Sequence, residues 1–242
     1  MSRWKAAAIH LLISFLVVGA VVLAITLIWY PPAIWSMAKV AQLILIMAVV
    51  DVVIGPLLTL IVFRSDKPSL RFDLSVIALL QVAALAYGLF SVWQSRPVFI
   101  VGTGNVGRFN LVFANDIDPE YLAQADSRYA ELPWFGPRLV GAELPLDQAL
   151  RQQLMWEGMS GYDIQFQPRY FVDYAQVADS MRRSVLSHKQ DGSSDNSLTE
   201  TDCVAPYVSK RGVAGMRIDC ESGLVVGPQA SPPGPGQDNE GQ

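Results

Sequence analysis

The residues best suited to chemistry are few. Gly102-Thr-Gly104-Asn-Val-Gly107 follows the apolar run Val98-Phe-Ile-Val101. The spacing matches G-x-G-x-x-G, in which glycines let backbone amides approach a pyrophosphate at a helix N-terminus. The next segment is Arg108-Phe-Asn-Leu-Val-Phe-Ala114, with Phe109, Leu111 and Phe113 in alternation. That is a strand pattern, so a glycine-rich hairpin between two strands is the favoured reading over a dinucleotide fingerprint. A second candidate is Asp51, a carboxylate inside a long apolar stretch and followed by Gly55-Pro56. Intramembrane acids are costly and are read as functional by default. Proline at 56 would bend the helix and free a backbone carbonyl. Asp51, Gly55 and Pro56 are therefore taken as candidate partner-docking residues, with hydrogen bonding to Gln42, Gln81 or Tyr87 as the structural alternative. The third candidate is the pair Cys203 and Cys220, the only cysteines in the chain, read as a disulfide.

Other chemistry has no legible residue set. The two histidines are His10, in the first apolar stretch and read as an interfacial anchor, and His188. No Gly-x-Ser-x-Gly occurs, and two cysteines without a histidine pair do not make a zinc site. Asp118 before Pro119 is a helix N-cap, and Asp116 is expected to be solvated. No catalytic, cofactor-binding or metal-binding residue is assigned, and the expectation is a non-enzyme without cofactors.

The elements that must carry these residues are marked by where charge is missing. The chain has 242 residues, 51% hydrophobic and 17% charged, with a mean hydropathy of +0.29. No Asp, Glu, Lys or Arg occurs from Ala6 to Tyr30 or from Leu74 to Gln94, and Asp51 stands alone from Val40 to Phe63. These stretches predict three transmembrane helices at about 6–30, 40–63 and 72–93, the first an uncleaved anchor because it exceeds a signal-peptide core. Arg3, Lys5 and the loop containing Arg64, Lys67 and Arg71 place the N-terminus in the cytoplasm by the positive-inside rule. An odd number of spans then places the rest outside it, in the periplasm of a bacterium.

The two halves differ in charge. Residues 1–95 carry 6 Lys+Arg and 3 Asp+Glu, and residues 96–242 carry 12 and 19, a net of −7. An acidic soluble half argues against a nucleic-acid partner. Strands are expected at 98–101, 108–114 and 137–144. Helices are expected from Asp118 to about Leu132, over 145–156 and over 175–187. A polar loop at 189–202 leads into a short meander over 204–226. The expected architecture is three transmembrane α-helices (1–95), a small extracytoplasmic α+β domain (96–227) and a disordered tail (228–242).

Several segments together resemble one known family. They are Met1-Ser-Arg-Trp-Lys-Ala-Ala-Ala-Ile-His-Leu-Leu-Ile-Ser14, Asp51-Val-Val-Ile-Gly-Pro-Leu-Leu-Thr-Leu-Ile-Val-Phe63 and Ser69-Leu-Arg-Phe-Asp-Leu-Ser-Val-Ile-Ala-Leu-Leu-Gln81. Ala86-Tyr-Gly88 and Arg96-Pro-Val-Phe99 continue them, with weaker likeness at Ala114-Asn-Asp-Ile-Asp118, Gly136-Pro-Arg-Leu-Val140 and Met216–Gly227. The chain resembles the type IV pilin accessory proteins, the TfpX/TfpZ family. The resemblance implies a multi-pass bacterial inner-membrane protein without a catalytic centre. Its implied partners are the major type IV pilin, through both transmembrane helix and periplasmic head, and other pilus assembly proteins. The reading from another class is a small transporter or nucleotide-gated channel subunit using Asp51 and the Gly102–Gly107 loop.

Overall fold

The computed structural model describes residues 2–31, 34–38, 40–64, 67–190 and 203–229. It divides into two compact units: residues 1–35 with 39–96, and residues 36–38 with 97–242.

The first unit holds three helices long and apolar enough to cross a membrane. α1 (Arg3–Ile28) is capped by Ser2, whose hydroxyl accepts from the Lys5 amide. Its 26 residues span about 39 Å, against a hydrocarbon core of about 30 Å. After the short α2 (Trp35–Ala38), the second span comprises α3 (Val40–Ala48), a π-helical turn (Val49–Ile54) and α4 (Gly55–Val62). α5 (Leu70–Gln94) is the third. Leucine, isoleucine and phenylalanine side chains such as Leu12, Phe15, Ile61 and Leu79 point outward, as suits a lipid solvent. Where α1 and α5 end, the Trp29 and Trp93 rings meet edge-on at 5.3 Å, and the Tyr30 hydroxyl donates to the Ser95 carbonyl at 2.7 Å. The chain is a membrane protein.

The second unit is built on one seven-stranded mixed sheet in the order β4-β3-β1-β2-β5-β6-β7. β1 (Pro97–Thr103) and β2 (Arg108–Phe113) form an antiparallel hairpin; β3 (Arg138–Ala142) runs parallel to β1, and β5 (Cys203–Val208) parallel to β2. β4 (Phe171–Val172) pairs with β3, and β6 (Val213–Ile218) and β7 (Val225–Gln229) complete the meander. Central strands β1 and β2 are almost continuously buried because both faces are covered. On one face Phe99, Val101, Val112, Tyr129, Val140 and Phe171 belong to one core cluster. On the other lies α8 (Tyr174–Gln190), which buries Tyr174, Val177, Ala178, Met181 and Val185.

Three of the departures from expected bounds have a local cause or consequence. α6 is only Pro119–Ala123, although its Asp118 cap accepts from the Glu120 amide as anticipated. The helix does not reach Leu132 because Asp126 captures the Arg128 amide with its side chain, a local turn that competes with helix. α7 (Gln148–Met159) begins after Asp147, whose carboxylate accepts from the Ala149 and Leu150 amides, so the cap overrides Pro145 as the start. The expected tail overlaps β7 at residues 228–229; residues 230–242 lie outside the described residues, as do 191–202 of the polar loop. Edge position explains how Pro228 is tolerated in a strand.

Candidate functional site

The polar seam of the helical unit is assembled around a missing proton. In the π turn the Gly55 amide donates five residues back, to the Val50 carbonyl. The next donor in that register would be residue 56, which would serve the Asp51 carbonyl. Residue 56 is proline and has no amide proton. Gln81 of α5 supplies the donor instead: its Nε2 reaches the Asp51 carbonyl at 3.1 Å. Gly55 makes this possible, since a Cβ there would run into the Gln81 carboxamide. Gln81 thus serves the backbone of Asp51, and the carboxylate itself sits apart from it. Asp51 is 5% exposed and its Oδ2 is buried without a hydrogen-bond partner. His10 of α1 is its ionisable neighbour and shares a 2.6 Å hydrogen bond with the Thr59 hydroxyl of α4. His10, expected as an interfacial anchor, thus ties α1 to α4. Asp51, Gly55 and Pro56 are all buried within the unit, while Val53, Ile54, Leu57 and Leu58 face outward.

This geometry gives a double-mutant test. Gln81→Leu strands the Asp51 carbonyl in an apolar interior and is expected to cost about 1–2 kcal/mol. Pro56→Ala restores an amide donor and makes Gln81 dispensable. In Pro56→Ala the added Gln81→Leu change is therefore expected to cost about 1 kcal/mol less. Unfolding in mixed micelles checks it; strictly additive costs would show that Gln81 does not serve the proline gap.

The glycine motif has a packing function. Gly102, Gly104 and Gly107 lie under α8, and side chains at these positions would meet Tyr174, Ser180 and Ser184 respectively. The Ser184 hydroxyl donates to the Gly104 carbonyl at 2.7 Å, and Gly107 adopts φ +69° in the hairpin turn. The strand β2 comes directly after it, with no helix N-terminus at the motif. The nucleotide reading of Gly102–Gly107 is therefore corrected: the face a phosphate would occupy is covered by α8. Tyr174 completes this interface. Its hydroxyl donates to the Gly223 carbonyl at 2.7 Å, and burial pushes its phenol above the usual range.

Cys203 and Cys220 are bonded, with Cα atoms 5.3 Å apart. Asp116, expected in solvent, is held by the Phe113 amide at 3.1 Å and the Lys210 ammonium at 2.7 Å. A half-buried knot links Glu157 of α7 to Arg169 at 2.6 Å and to Gln167 at 2.9 Å. Burial alone would raise the Glu157 carboxyl; hydrogen bonds from Gln153, Gln167 and Arg169, with the Arg169 charge, outweigh it and hold the group below its ordinary range. The turn after β5 also grips the segment between the first two spans. Ser209 donates to the Met37 carbonyl at 2.8 Å and Arg211 to the Ala38 carbonyl at 2.9 Å.

Of the sequence candidates, Asp51, Gly55 and Pro56 come together on one turn, and the cysteines come together in the other unit. Sequence reasoning missed the π turn and left Gln81 as one of three alternatives. The available signal was Pro56 placed five residues after Asp51.

Similarity to known proteins spans both units. The chain is 27% identical over 200 residues to the fimbrial assembly protein of serogroup E1 of Dichelobacter nodosus, covering 82% of this chain and 77% of that protein. It is 28% identical over 182 residues to the serogroup I protein of the same organism, covering 74% and 70%. It is 31% identical over 99 residues to the protein of serogroups C1 and C2, covering 40% and 76%. No family model and no solved structure matches.

Proposed function

The chain belongs to the family of fimbrial assembly proteins, and from that membership we propose that it is a non-enzymatic accessory factor for type IV pilus assembly. The observation that carries this reading is similarity to such a protein over 82% of the chain, reaching through both the helical and the sheet unit. Its site of action is the bacterial inner membrane, with the N-terminus in the cytoplasm and the C-terminal unit in the periplasm. Three findings support that placement: the basic residues at Arg3, Lys5, Arg64, Lys67 and Arg71, the disulfide, and the inclusion of residues 36–38 in the C-terminal unit. An oxidising compartment is where structural disulfides persist. Residues 36–38 and the chain after the third span lie on one side in a three-span topology.

The proposed partner is the major type IV pilin, with other pilus assembly proteins beside it. The resemblance to type IV pilin accessory proteins is the basis for naming the pilin. Asp51, Gly55 and Pro56 act in docking by shaping the bundle: the turn they make directs Val53, Ile54, Leu57 and Leu58 outward toward a partner helix. Van der Waals packing, more than a hydrophobic driving force, joins helices in lipid, so the shape of that face matters.

Deleting the gene is expected to abolish sheared surface pili, with complementation restoring them. Pilin lost from the membrane in parallel would indicate subunit stabilisation; pilin retained would indicate a role at assembly. Normal pili and normal pilin would overturn the assembly reading. Within the complemented strain, Leu57→Ala with Ile54→Ala is expected to lower pilin co-purification; unchanged recovery would overturn the docking assignment alone.

A further inference from the structure

α7 is an anomaly in the C-terminal unit. Among its residues Leu154 is the buried one, while Met155, Trp156 and Met159 are 60%, 64% and 74% exposed. Beside it, between α7 and the β1–β2 turn, lies an open groove of about 450 Å³. This is within the roughly 300–1,000 Å³ of ordinary ligand pockets. Its apolar lining includes Val106, Leu154, Met155 and Met159, and its charged lining is Arg108, Arg151 and Asp163. The Arg108 Nε is buried without a hydrogen-bond partner. Arg151 is held at the groove by its Nε, which donates to the Pro145 carbonyl at 2.6 Å. Asp163 accepts from Gln165 at 3.3 Å. Two guanidinium groups against one carboxylate make the groove cationic, in a half of the chain whose formal net charge is −7 (12 Lys+Arg, 19 Asp+Glu).

We propose that the groove between α7 and the β1–β2 turn is a docking site for an acidic peptide segment in which a carboxylate is flanked by apolar side chains. The carboxylate pairs with the half-buried Arg108 where its side chain lines the groove, and a charge-assisted bond of this kind is about twice as strong as a neutral one. The apolar neighbours lie on Met155 and Met159, whose unbranched thioether chains adapt to differing shapes. A peptide suits the site because guanidinium groups and a methionine wall stand side by side.

The test uses the full chain in detergent micelles. The probe is fluorescein-labelled Gly-Ser-Leu-Glu-Phe-Asp-Leu-Ser-Gly, and its control is the twin with Gln and Asn in place of the acids. Fluorescence anisotropy is expected to show at least about tenfold tighter binding of the acidic peptide, the range of charge-assisted pairs. Arg108→Gln is expected to erase that preference. Met159→Glu, at an exposed position where folding is not at stake, is expected to weaken the acidic peptide at least about tenfold. Equal binding of the twins, no binding of the acidic peptide, or indifference to Met159→Glu would overturn the proposal. Self-association of the protein that Met159→Glu removes would make the occupant a second copy of the chain, and would overturn it too.

Discussion

Gly107→Ala is expected to destabilise the C-terminal unit far more than Gly136→Ala, although both place alanine in left-handed backbone. Gly107 has φ +69° and Gly136 φ +55°, so the conformational cost of about 1–2 kcal/mol is common to both. The surroundings differ. At Gly136 nothing lies within 4 Å of a new Cβ, whereas at Gly107 the Ser184 Cβ would be 2.8 Å away with α8 backbone behind it. Overpacking of this kind costs about 1–3 kcal/mol more, because α8 is held by its whole buried face and cannot move back locally. Gly104→Val is expected to be worse still. Its Cβ would meet the Ser180 hydroxyl and lie 3.1 Å from the Val177 backbone oxygen, which has no rotamer to change. Hydrogen exchange of β1 and β2 amides in the full-length protein measures these costs separately from the helical unit. If Gly107→Ala and Gly136→Ala lose the same protection, the close approach of α8 is not what the glycine motif serves.

Replacing Cys203 and Cys220 together by serine is expected to cost about 3 kcal/mol, the chain-entropy value for a loop near this length. The cysteines are 17 residues apart and span the β5–β6 hairpin, with Cys203 opposite Ile218 in register. The bond holds the start of β5, a strand whose partner β2 it meets in a parallel pairing of only Phe109 with Tyr207 and Asn110 with Val208. Parallel pairing has no hairpin to fix its register. The loss is therefore expected to appear first in the β5–β6–β7 meander, and later in the β1–β2 hairpin and α8. Thermal melting with and without reductant, combined with exchange of β5 and β2 amides, reads both parts. Wild-type protein that melts identically in oxidised and reduced form would show that the meander is held by packing alone.

The membrane half was legible because its signal is one-dimensional. A run of apolar residues such as Ala6–Tyr30 has to be a helix in lipid, where each backbone group must find its partner within the segment. The hairpin at Gly102–Gly107 was legible for a similar reason: alternation at Phe109, Leu111 and Phe113 has a period of two and belongs to a strand. The N-cap at Asp118 is local and held, while the helix after it stopped early because Asp126 offered the Arg128 amide a competing bond. That competition is decided by side-chain geometry, which sequence pattern does not carry.

What the sequence by itself determined was therefore the set of local choices: three apolar helices, a glycine turn between two strands, a cysteine pair in the acidic half, and a proline that leaves one carbonyl unmet. Only the tertiary structure decided which distant residues answer them. Gln81 answers the Asp51 carbonyl from 30 residues away, α8 answers the three glycines, and β3 and β5 join β1 and β2 in parallel. The physical reason is that these contacts are set by packing between separate elements, with no periodicity or propensity to announce them. A missing amide proton or a missing Cβ marks where a partner must come, and the fold chooses the partner.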